Sequence, residues 1–233
     1  ETGQGTPLLL IHGLGSSARD WEKQVPYFSK GYRVITFDVR GHGQTDKPKG
    51  PYSVKLFAED TAEFMKTIGV ESAHVVGISM GGMIAFQLAV TAPERIKSLV
   101  IANTGSELIV RSFRDFLQVM QRKLIVRVLG MRKMGEVLSK RLFPDPGFED
   151  IQKIFVERWA ENDPRAYRDS MQGLLGWSVT EQLSSIECPT LILSADHDYT
   201  SVEVKESIVA KMPNAKLVVI PNSRHAVPVE RPE

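Results

Sequence analysis

The strongest constraint on the fold comes from a five-residue sequence, Gly77-Ile78-Ser79-Met80-Gly81. An apolar run that predicts a strand, residues 73–76, precedes it, and an apolar run with helical spacing, residues 83–89, follows it. A serine at such a strand-to-helix turn has a strained backbone and a hydroxyl that projects beyond the sheet, and the flanking glycines remove side-chain collisions. We therefore predict that Ser79 is a nucleophile. The alternative is a glycine-rich turn without chemistry.

Strand-like and helix-like segments alternate on both sides of this turn. Apolar runs that predict strands lie at residues 8–11, 32–37, 73–78, 98–101, 190–194 and 217–220. Helical spacing of apolar residues is found between most of them, for example over residues 56–68. Continuous apolar strands between amphipathic helices indicate a mostly parallel sheet with helices on both faces, so the predicted fold class is α/β.

The alternation stops between Ser106 and Ser178, where no strand pattern occurs. We predict that residues 106–178 form a helical cap inserted over the carboxyl edge of the sheet, and that residues 1–105 and 179–233 form the α/β core. A separate helical domain is the alternative, but about 70 residues barely support one. Four residues on one helical face of the cap are predicted to line the substrate pocket: Phe113, Phe116, Leu117 and Met120.

Composition argues against several classes of function. The net charge of the 233 residues is +1, which provides no general attraction to nucleic acid or to acidic membranes. The one cysteine, Cys188, precludes an internal disulfide, and we expect it to be a packing residue. The sequence shows no signal peptide and no apolar run long enough to span a bilayer, which predicts a cytoplasmic protein. Histidines, cysteine and carboxylates lack metal-ligand spacing, so no metal and no other cofactor is expected.

Further motifs follow the other predicted strands: Ile11-His12-Gly13-Leu14-Gly15, Asp38-Val39-Arg40-Gly41-His42-Gly43, Asp196-His197-Asp198 and Ser223-Arg224-His225. Together with the serine motif, and in this order, they resemble the α/β-hydrolase fold superfamily, specifically its small capped serine hydrolases. The resemblance covers almost the whole chain. It implies an α/β-hydrolase core with an inserted helical cap.

The resemblance also implies a catalytic triad in the chain order serine, acid, histidine. Ser79 matches the nucleophile, and His225, in the loop after the last strand, matches the base. Asp198 matches the acid that orients the imidazole and stabilises the imidazolium. Asp196 is the alternative acid. Asn103 stands where some relatives carry the acid and cannot supply a carboxylate.

An oxyanion hole requires two backbone N–H groups directed at the developing negative charge. By resemblance these belong to Met80, which follows the nucleophile, and to Leu14. A phosphate-binding loop of a dinucleotide site is the alternative for residues 12–17. That alternative is disfavoured because the segment lacks the third glycine of the dinucleotide fingerprint.

The predicted cap has an uneven charge. Between Ser106 and Arg141 the sequence has nine lysines and arginines but only three acidic residues, Glu107, Asp115 and Glu136. A solvated helix face explains this excess, and attraction of an anionic substrate is the alternative. A cap arginine or lysine that reaches the pocket would favour a substrate with a carboxylate, because a buried cation requires an anionic partner.

The resemblance implies hydrolysis of a small-molecule carboxylic ester through an acyl-enzyme. Two alternatives use the same triad: a 3-oxoadipate enol-lactonase, which residues 50–53 and 77–104 resemble, and a hydrolase of carbon–carbon bonds. An alternative of another class is a hydrolase-like ligand receptor with little or no turnover. No nucleic-acid partner is expected, and neither the acyl group nor the oligomeric state follows from the sequence.

Overall fold

The computed structural model describes residues 1–233 and contains a sheet of six strands. The strands are β1 (Thr6–Ile11), β2 (Tyr32–Thr36), β3 (Ala73–Ile78), β4 (Ile96–Ala102), β5 (Thr190–Ala195) and β6 (Ala215–Ile220). The helices are α1 (Val25–Phe28), α2 (Val54–Thr67), α3 (Met80–Thr91), α4 (Phe113–Leu142), α5 (Glu149–Ala160), α6 (Pro164–Leu174), α7 (Val202–Lys211) and α8 (Val227–Glu230). The spatial order is β2-β1-β3-β4-β5-β6, and all neighbouring strands are parallel. The predicted fold class is confirmed.

Both faces of the sheet are apolar because both are covered. Along β1, Leu9 and Ile11 belong to a core cluster of 30 buried residues that includes the inner faces of α2 and α3. Leu8 and Leu10 point to the opposite face and pack in a cluster with Trp21. Successive side chains of a strand alternate between its faces, so a strand with helices on both sides is apolar throughout.

Helices α4, α5 and α6 form the insertion between β4 and β5. They supply most of a second cluster of nine buried residues, which includes Phe143 and Trp159. An isolated antiparallel bridge between Glu107 and Ser178 joins the two ends of the insertion. Helix α4 is interrupted at Gly130, whose φ of 80° is not helical. No helix of the structure is long and apolar enough to cross a bilayer.

The inserted helices pack on loops at the carboxyl edge of the sheet. Trp159 of α5 and Tyr167 of α6 lie against Gly15, in the loop after β1, where an added Cβ would come within 2.7 Å of the indole. Asn162 donates a hydrogen bond to the Gly15 carbonyl at 2.9 Å. The ion pair between Arg224 and Asp145, at 2.6 Å, connects the insertion to the loop after β6. The insertion therefore covers the edge at which the candidate site lies.

Candidate active site

Ser79 occupies a sharp turn between β3 and α3. Its φ of 54° and ψ of −120° are uncommon for a residue with a side chain. A Cβ at Gly77 would lie 2.3 Å from the Gly81 carbonyl oxygen, and one at Gly81 would lie 2.1 Å from the Ile11 carbonyl oxygen. Only glycine fits at these two positions, so the motif is required by the close approach of β1, β3 and the start of α3.

His225 and Asp198 are joined by a hydrogen bond of 2.6 Å between Nδ1 and Oδ1. The Asp198 side chain is fully buried, and its other oxygen accepts hydrogen bonds from Lys205, at 2.5 Å, and from the Thr200 hydroxyl, at 2.9 Å. Burial would raise the pKa of the Asp198 carboxyl, but the hydrogen bonds and charges of His225 and Lys205 lower it below its ordinary value. The carboxylate is therefore ionised, and it can hold the imidazole with Nε2 free to accept a proton.

Asp196, the alternative acid, has a different set of contacts. Its carboxylate accepts hydrogen bonds from the backbone N–H groups of Asn222, at 2.8 Å, and Ser223, at 3.0 Å. These bonds lower the pKa of Asp196, the Ser223 N–H contributing most. Asp196 forms no hydrogen bond with His225 and instead shapes the loop that carries it.

Asn103 and Thr104, at the end of β4, connect the serine turn to the histidine loop. The Asn103 amide donates to the carbonyl oxygen of His225 at 2.9 Å, and its Oδ1 accepts from Ala195 N at 2.8 Å. The Thr104 hydroxyl donates to the Ser79 carbonyl at 2.9 Å. The sequence excluded Asn103 as an acid but did not reveal this bridging role.

Ser79 Oγ and His225 do not form a hydrogen bond in this structure; the imidazole is held through Nδ1 alone. Hydrogen bonds between a nucleophile and its base are often loose without substrate and tighten when it binds.

The backbone N–H groups of Leu14 and Met80 have no acceptor within the protein. Met80 is the first residue of α3, where no intrahelical carbonyl is available to it. Leu14 follows Gly13, and a Cβ at Gly13 would lie 3.4 Å from Ser79 Cβ. The loop after β1 thus lies directly against the serine turn, and two free donors are available there.

The His12 side chain orients the loop after β1. Its Nε2 accepts a hydrogen bond from Val39 N at 2.9 Å, so its proton is on Nδ1, which donates to the Gly13 carbonyl at 2.8 Å. Burial lowers the pKa of His12 and keeps the ring neutral. Since the Gly13 carbonyl and the Leu14 N–H belong to one peptide unit, holding the first fixes the direction of the second.

The four apolar cap residues expected to line the pocket lie on an exposed face of α4. Exposure is 74% for Phe113, 49% for Phe116, 50% for Leu117 and 45% for Met120. Their contact with the substrate stays a prediction. They do share one helical face, but the side of this helix that turns inward carries Val126 and Arg122 instead. Periodicity identifies the apolar stripe of a helix without showing which side faces the protein.

Residues that the sequence analysis did not select surround the imidazole. The Tyr199 ring stacks on His225 with 4.3 Å between centroids, and the Arg141 guanidinium lies 4.4 Å from the Tyr199 centroid. Arg122 donates to the hydroxyl of Tyr167. Lys205 also lies near the triad, and the sequence did contain a signal for it, because this lysine interrupts the apolar side of α7.

A cavity of about 200 Å³ lies beside this site, between α5 and the loop after β1. Gly15, Asp20, Phe155 and Trp159 are among the residues that line it. It contains neither Ser79 nor His225, so it is not where the reacting bond would lie.

The profile of the alpha/beta hydrolase fold family matches residues 6–232 of this chain. The chain belongs to the α/β-hydrolase fold family. It is 32% identical to an (E)-2-((N-methylformamido)methylene)succinate hydrolase of Acinetobacter baylyi, over 100% of this chain and 88% of the relative. It is 29% identical to 3-oxoadipate enol-lactonase 2 of the same organism, over 97% of this chain and 84% of the relative.

Solved structures of the α/β-hydrolase fold family agree with this assignment. A thermophilic esterase from Thermogutta terrifontis, described with malate bound, has a TM-score of 0.89 and 26% identity over 99% of this chain and 86% of its own. The protein is a hydrolase of the α/β-hydrolase fold family.

Proposed function

We propose that this hydrolase cleaves carboxylic esters through an acyl-enzyme, with Ser79 as nucleophile, His225 as base and Asp198 as acid. The observation that carries the proposal is the His225 imidazole held at 2.6 Å by a buried carboxylate, in a loop tied to the end of the strand beside the serine turn. An imidazole oriented in this way activates a serine hydroxyl that is otherwise a poor nucleophile.

In the first half-reaction, Ser79 Oγ bonds to the ester carbonyl carbon while His225 Nε2 takes the hydroxyl proton. The carbonyl oxygen becomes an oxyanion that the N–H groups of Leu14 and Met80 stabilise. Cleavage of the bond to the alcohol oxygen follows, and the imidazolium returns its proton to the departing alcohol. The acyl group remains on Ser79.

In the second half-reaction, water replaces the alcohol. His225 accepts a proton from the water as its oxygen attacks the acyl carbon, and the new oxyanion uses the same two N–H groups. The bond to Ser79 Oγ then breaks, Oγ regains the proton, and the carboxylic acid leaves. Asp198 stays ionised throughout and stabilises the imidazolium in both halves.

Hydrolysis of an enol-lactone is a second candidate, favoured by the similarity to 3-oxoadipate enol-lactonase 2. A lactone is a cyclic ester, so the same groups would act, and the alcohol oxygen would stay attached to the acyl chain after ring opening. The two candidates differ in substrate shape and not in the roles of Ser79, His225 and Asp198.

The proposal is tested with p-nitrophenyl acetate and butyrate and with an enol-lactone. We expect a burst of p-nitrophenol equal to the enzyme concentration if deacylation is slow, and loss of about 10⁴- to 10⁶-fold in kcat for Ser79→Ala. Ser184→Ala, an exposed serine without side-chain hydrogen bonds, serves as the matched control. Ligand binding without turnover by the unmodified protein would instead favour the receptor alternative.

A further inference from the structure

Arg141, near the end of α4, lies one aromatic ring away from the candidate base. Its guanidinium carbon is 4.4 Å from the centroid of Tyr199, and that ring is stacked on His225 at 4.3 Å with an angle of 26° between the planes. Tyr199 directly follows Asp198 in the chain, so its position is set by the loop that carries the acid. The arginine is therefore held close to the imidazole by aromatic contact alone.

Arg122, in the first half of α4, contacts a different aromatic residue, Tyr167. Its Nε donates to the Tyr167 hydroxyl, and its guanidinium carbon is 5.5 Å from the centre of that ring. Tyr167 is almost fully buried and lies against Gly15, next to the predicted oxyanion donor Leu14. Arg141 is thus linked to the base through Tyr199, and Arg122 is linked to the loop after β1 through Tyr167.

Neither guanidinium has a carboxylate partner within the protein. Other cap arginines do, such as Arg111 with Glu107 and Arg132 with Glu157. The Arg141 guanidinium lies over the Tyr199 ring, and the Arg122 guanidinium lies over the Tyr167 ring. Arg122 is half-buried and Arg141 is exposed, so what they offer an anion is local positive charge near the candidate base.

We propose that Arg122 and Arg141 bind a carboxylate of the substrate, so that the preferred ester or lactone carries an acidic group in its acyl part. The planar guanidinium offers paired N–H donors that match a carboxylate, and the hydrogen bond of Arg122 to Tyr167 uses Nε and not the two Nη atoms. Because one ring separates Arg141 from His225, we take a short dicarboxylic monoester as the test substrate. This inference rests on the proposed function and specifies its substrate class.

The test compares monoethyl succinate with ethyl valerate, a neutral ester of nearly the same shape, by titration of the released acid. We expect kcat/KM to be about 10- to 100-fold higher for the anionic ester, and this ratio to fall by the same factor in the Arg122→Met/Arg141→Met variant. Arg127→Met is the matched control, because Arg127 is an exposed residue of the same helix without a partner. A ratio near one, or equal losses on both esters in the double variant, would overturn the subsite.

Calorimetric binding of succinate to the Ser79→Ala protein separates the two proposals. Binding that is lost in the arginine variant supports the subsite even if neither ester is hydrolysed, in which case the proposed ester hydrolysis is wrong. Hydrolysis of ethyl valerate by a Ser79-dependent reaction, together with no succinate binding, leaves the hydrolase proposal intact and rejects the subsite.

A separate observation concerns Lys205 of α7, whose side chain is fully buried beside the triad. Its Nζ lies 2.5 Å from Asp198 Oδ2 and also contacts the carbonyl and the hydroxyl of Thr200. The opposite oxygen of the same carboxylate binds His225. One buried carboxylate is thus shared between a lysine and the candidate base.

We infer that Lys205 is a positioning residue that holds Asp198 and limits how strongly the carboxylate stabilises the imidazolium. A cation on the far oxygen offsets part of the negative charge seen by His225, which favours the neutral imidazole that can accept a proton. The groups facing His225 are Asp198 and Tyr199, with the cation of Arg141 on the Tyr199 ring. The nearby Arg224 is paired with Asp145 and Glu230.

This role of Lys205 is tested by the acid limb of the pH profile of kcat/KM. In Lys205→Met we expect its midpoint to rise, because the cation that offsets the charge of Asp198 is gone. Lys205→Arg, which retains the cation, should restore the midpoint, and Lys211→Met, at an exposed lysine of the same helix, should not move it. An unchanged or lowered midpoint in Lys205→Met contradicts the inference.

Thermal unfolding tests the same coupling without activity. Lys205→Met should lower Tm much less in an Asp198→Asn background than in the unmodified protein, because the charge left unpaired is then absent. Equal losses in the two backgrounds would mean that Lys205 acts through packing alone.

Discussion

The Asn103 side-chain amide donates to the carbonyl oxygen of His225 at 2.9 Å, and the same amide group receives a hydrogen bond from Ala195 N at 2.8 Å. One buried side chain therefore joins the end of β4 to the end of β5 and to the histidine loop. Its backbone is left-handed, with φ of 49°, which asparagine tolerates better than most residues. The position of the base depends on this bridge as well as on Asp198.

Replacement of Asn103 tests the bridge. Asn103→Gly keeps the left-handed backbone and removes the amide, so we expect a loss of about 1–3 kcal/mol in the free energy of unfolding from the unsatisfied Ala195 N–H and His225 carbonyl. Catalysis should fall mainly in kcat, because the imidazole loses its orientation. Asn214→Gly, at an exposed site, is the control. Wild-type kcat in Asn103→Gly would show that Asp198 suffices to place the base.

The glycines of the serine turn differ sharply from a glycine on the surface. Gly81→Ala places a Cβ 2.1 Å from the Ile11 carbonyl oxygen, so backbone must move, and we expect at least about 3 kcal/mol of destabilisation with loss of hydrolase activity. Gly31→Ala meets nothing within 4 Å and should change the free energy of unfolding by less than about 0.5 kcal/mol. Urea unfolding of both variants checks this contrast.

His42 should make the protein less stable in acid. Burial lowers the pKa of His42 from its ordinary 6.5 to about 3, so the unfolded chain binds a proton that the folded protein does not bind between these values. The contribution to stability is fully present above pH 6.5 and is lost as the pH falls toward 3, at up to about 1.4 kcal/mol per pH unit.

Urea unfolding between pH 7 and pH 4.5 measures this dependence. His42→Asn removes the titrating group and should flatten the slope by about one proton. The same slope in His42→Asn and in the unmodified protein would show that His42 does not titrate differently on folding.

Truncation to alanine should change the free energy of unfolding differently at two phenylalanines, Phe113 at the start of α4 and Phe143 directly after its end. Phe143 is fully buried in the cluster of the inserted helices, whereas Phe113 is 74% exposed. Phe143→Ala should cost about 3–5 kcal/mol in the free energy of unfolding, and Phe113→Ala less than about 0.5 kcal/mol. A large loss of stability in Phe113→Ala would contradict the exposed placement of that face.

The sheet, its helices and the serine turn could be predicted from local sequence patterns. The alternation of apolar residues and the two glycines of the turn reflect constraints that act between residues close together in the chain. The resemblance to α/β-hydrolases supplied the candidate triad of Ser79, Asp198 and His225, and all three residues follow parallel strands, whose carboxyl ends meet at one edge of the sheet. The choice between Asp196 and Asp198 depended on a contact across the histidine loop, and only tertiary structure distinguishes two carboxylates two residues apart.

The orientation of α4 and the partners of buried charges lay beyond the sequence. An apolar stripe such as Phe113 to Met120 predicts a helix, but the side that turns inward depends on how the helix docks on α5 and α6. Lys205 lies on the otherwise apolar side of α7, and its pairing with Asp198 depends on the tertiary structure. Side chains distant in sequence interact through positions that the whole packed chain sets, which is why the contacts of Arg122, Arg141 and Lys205 emerged only from the structure.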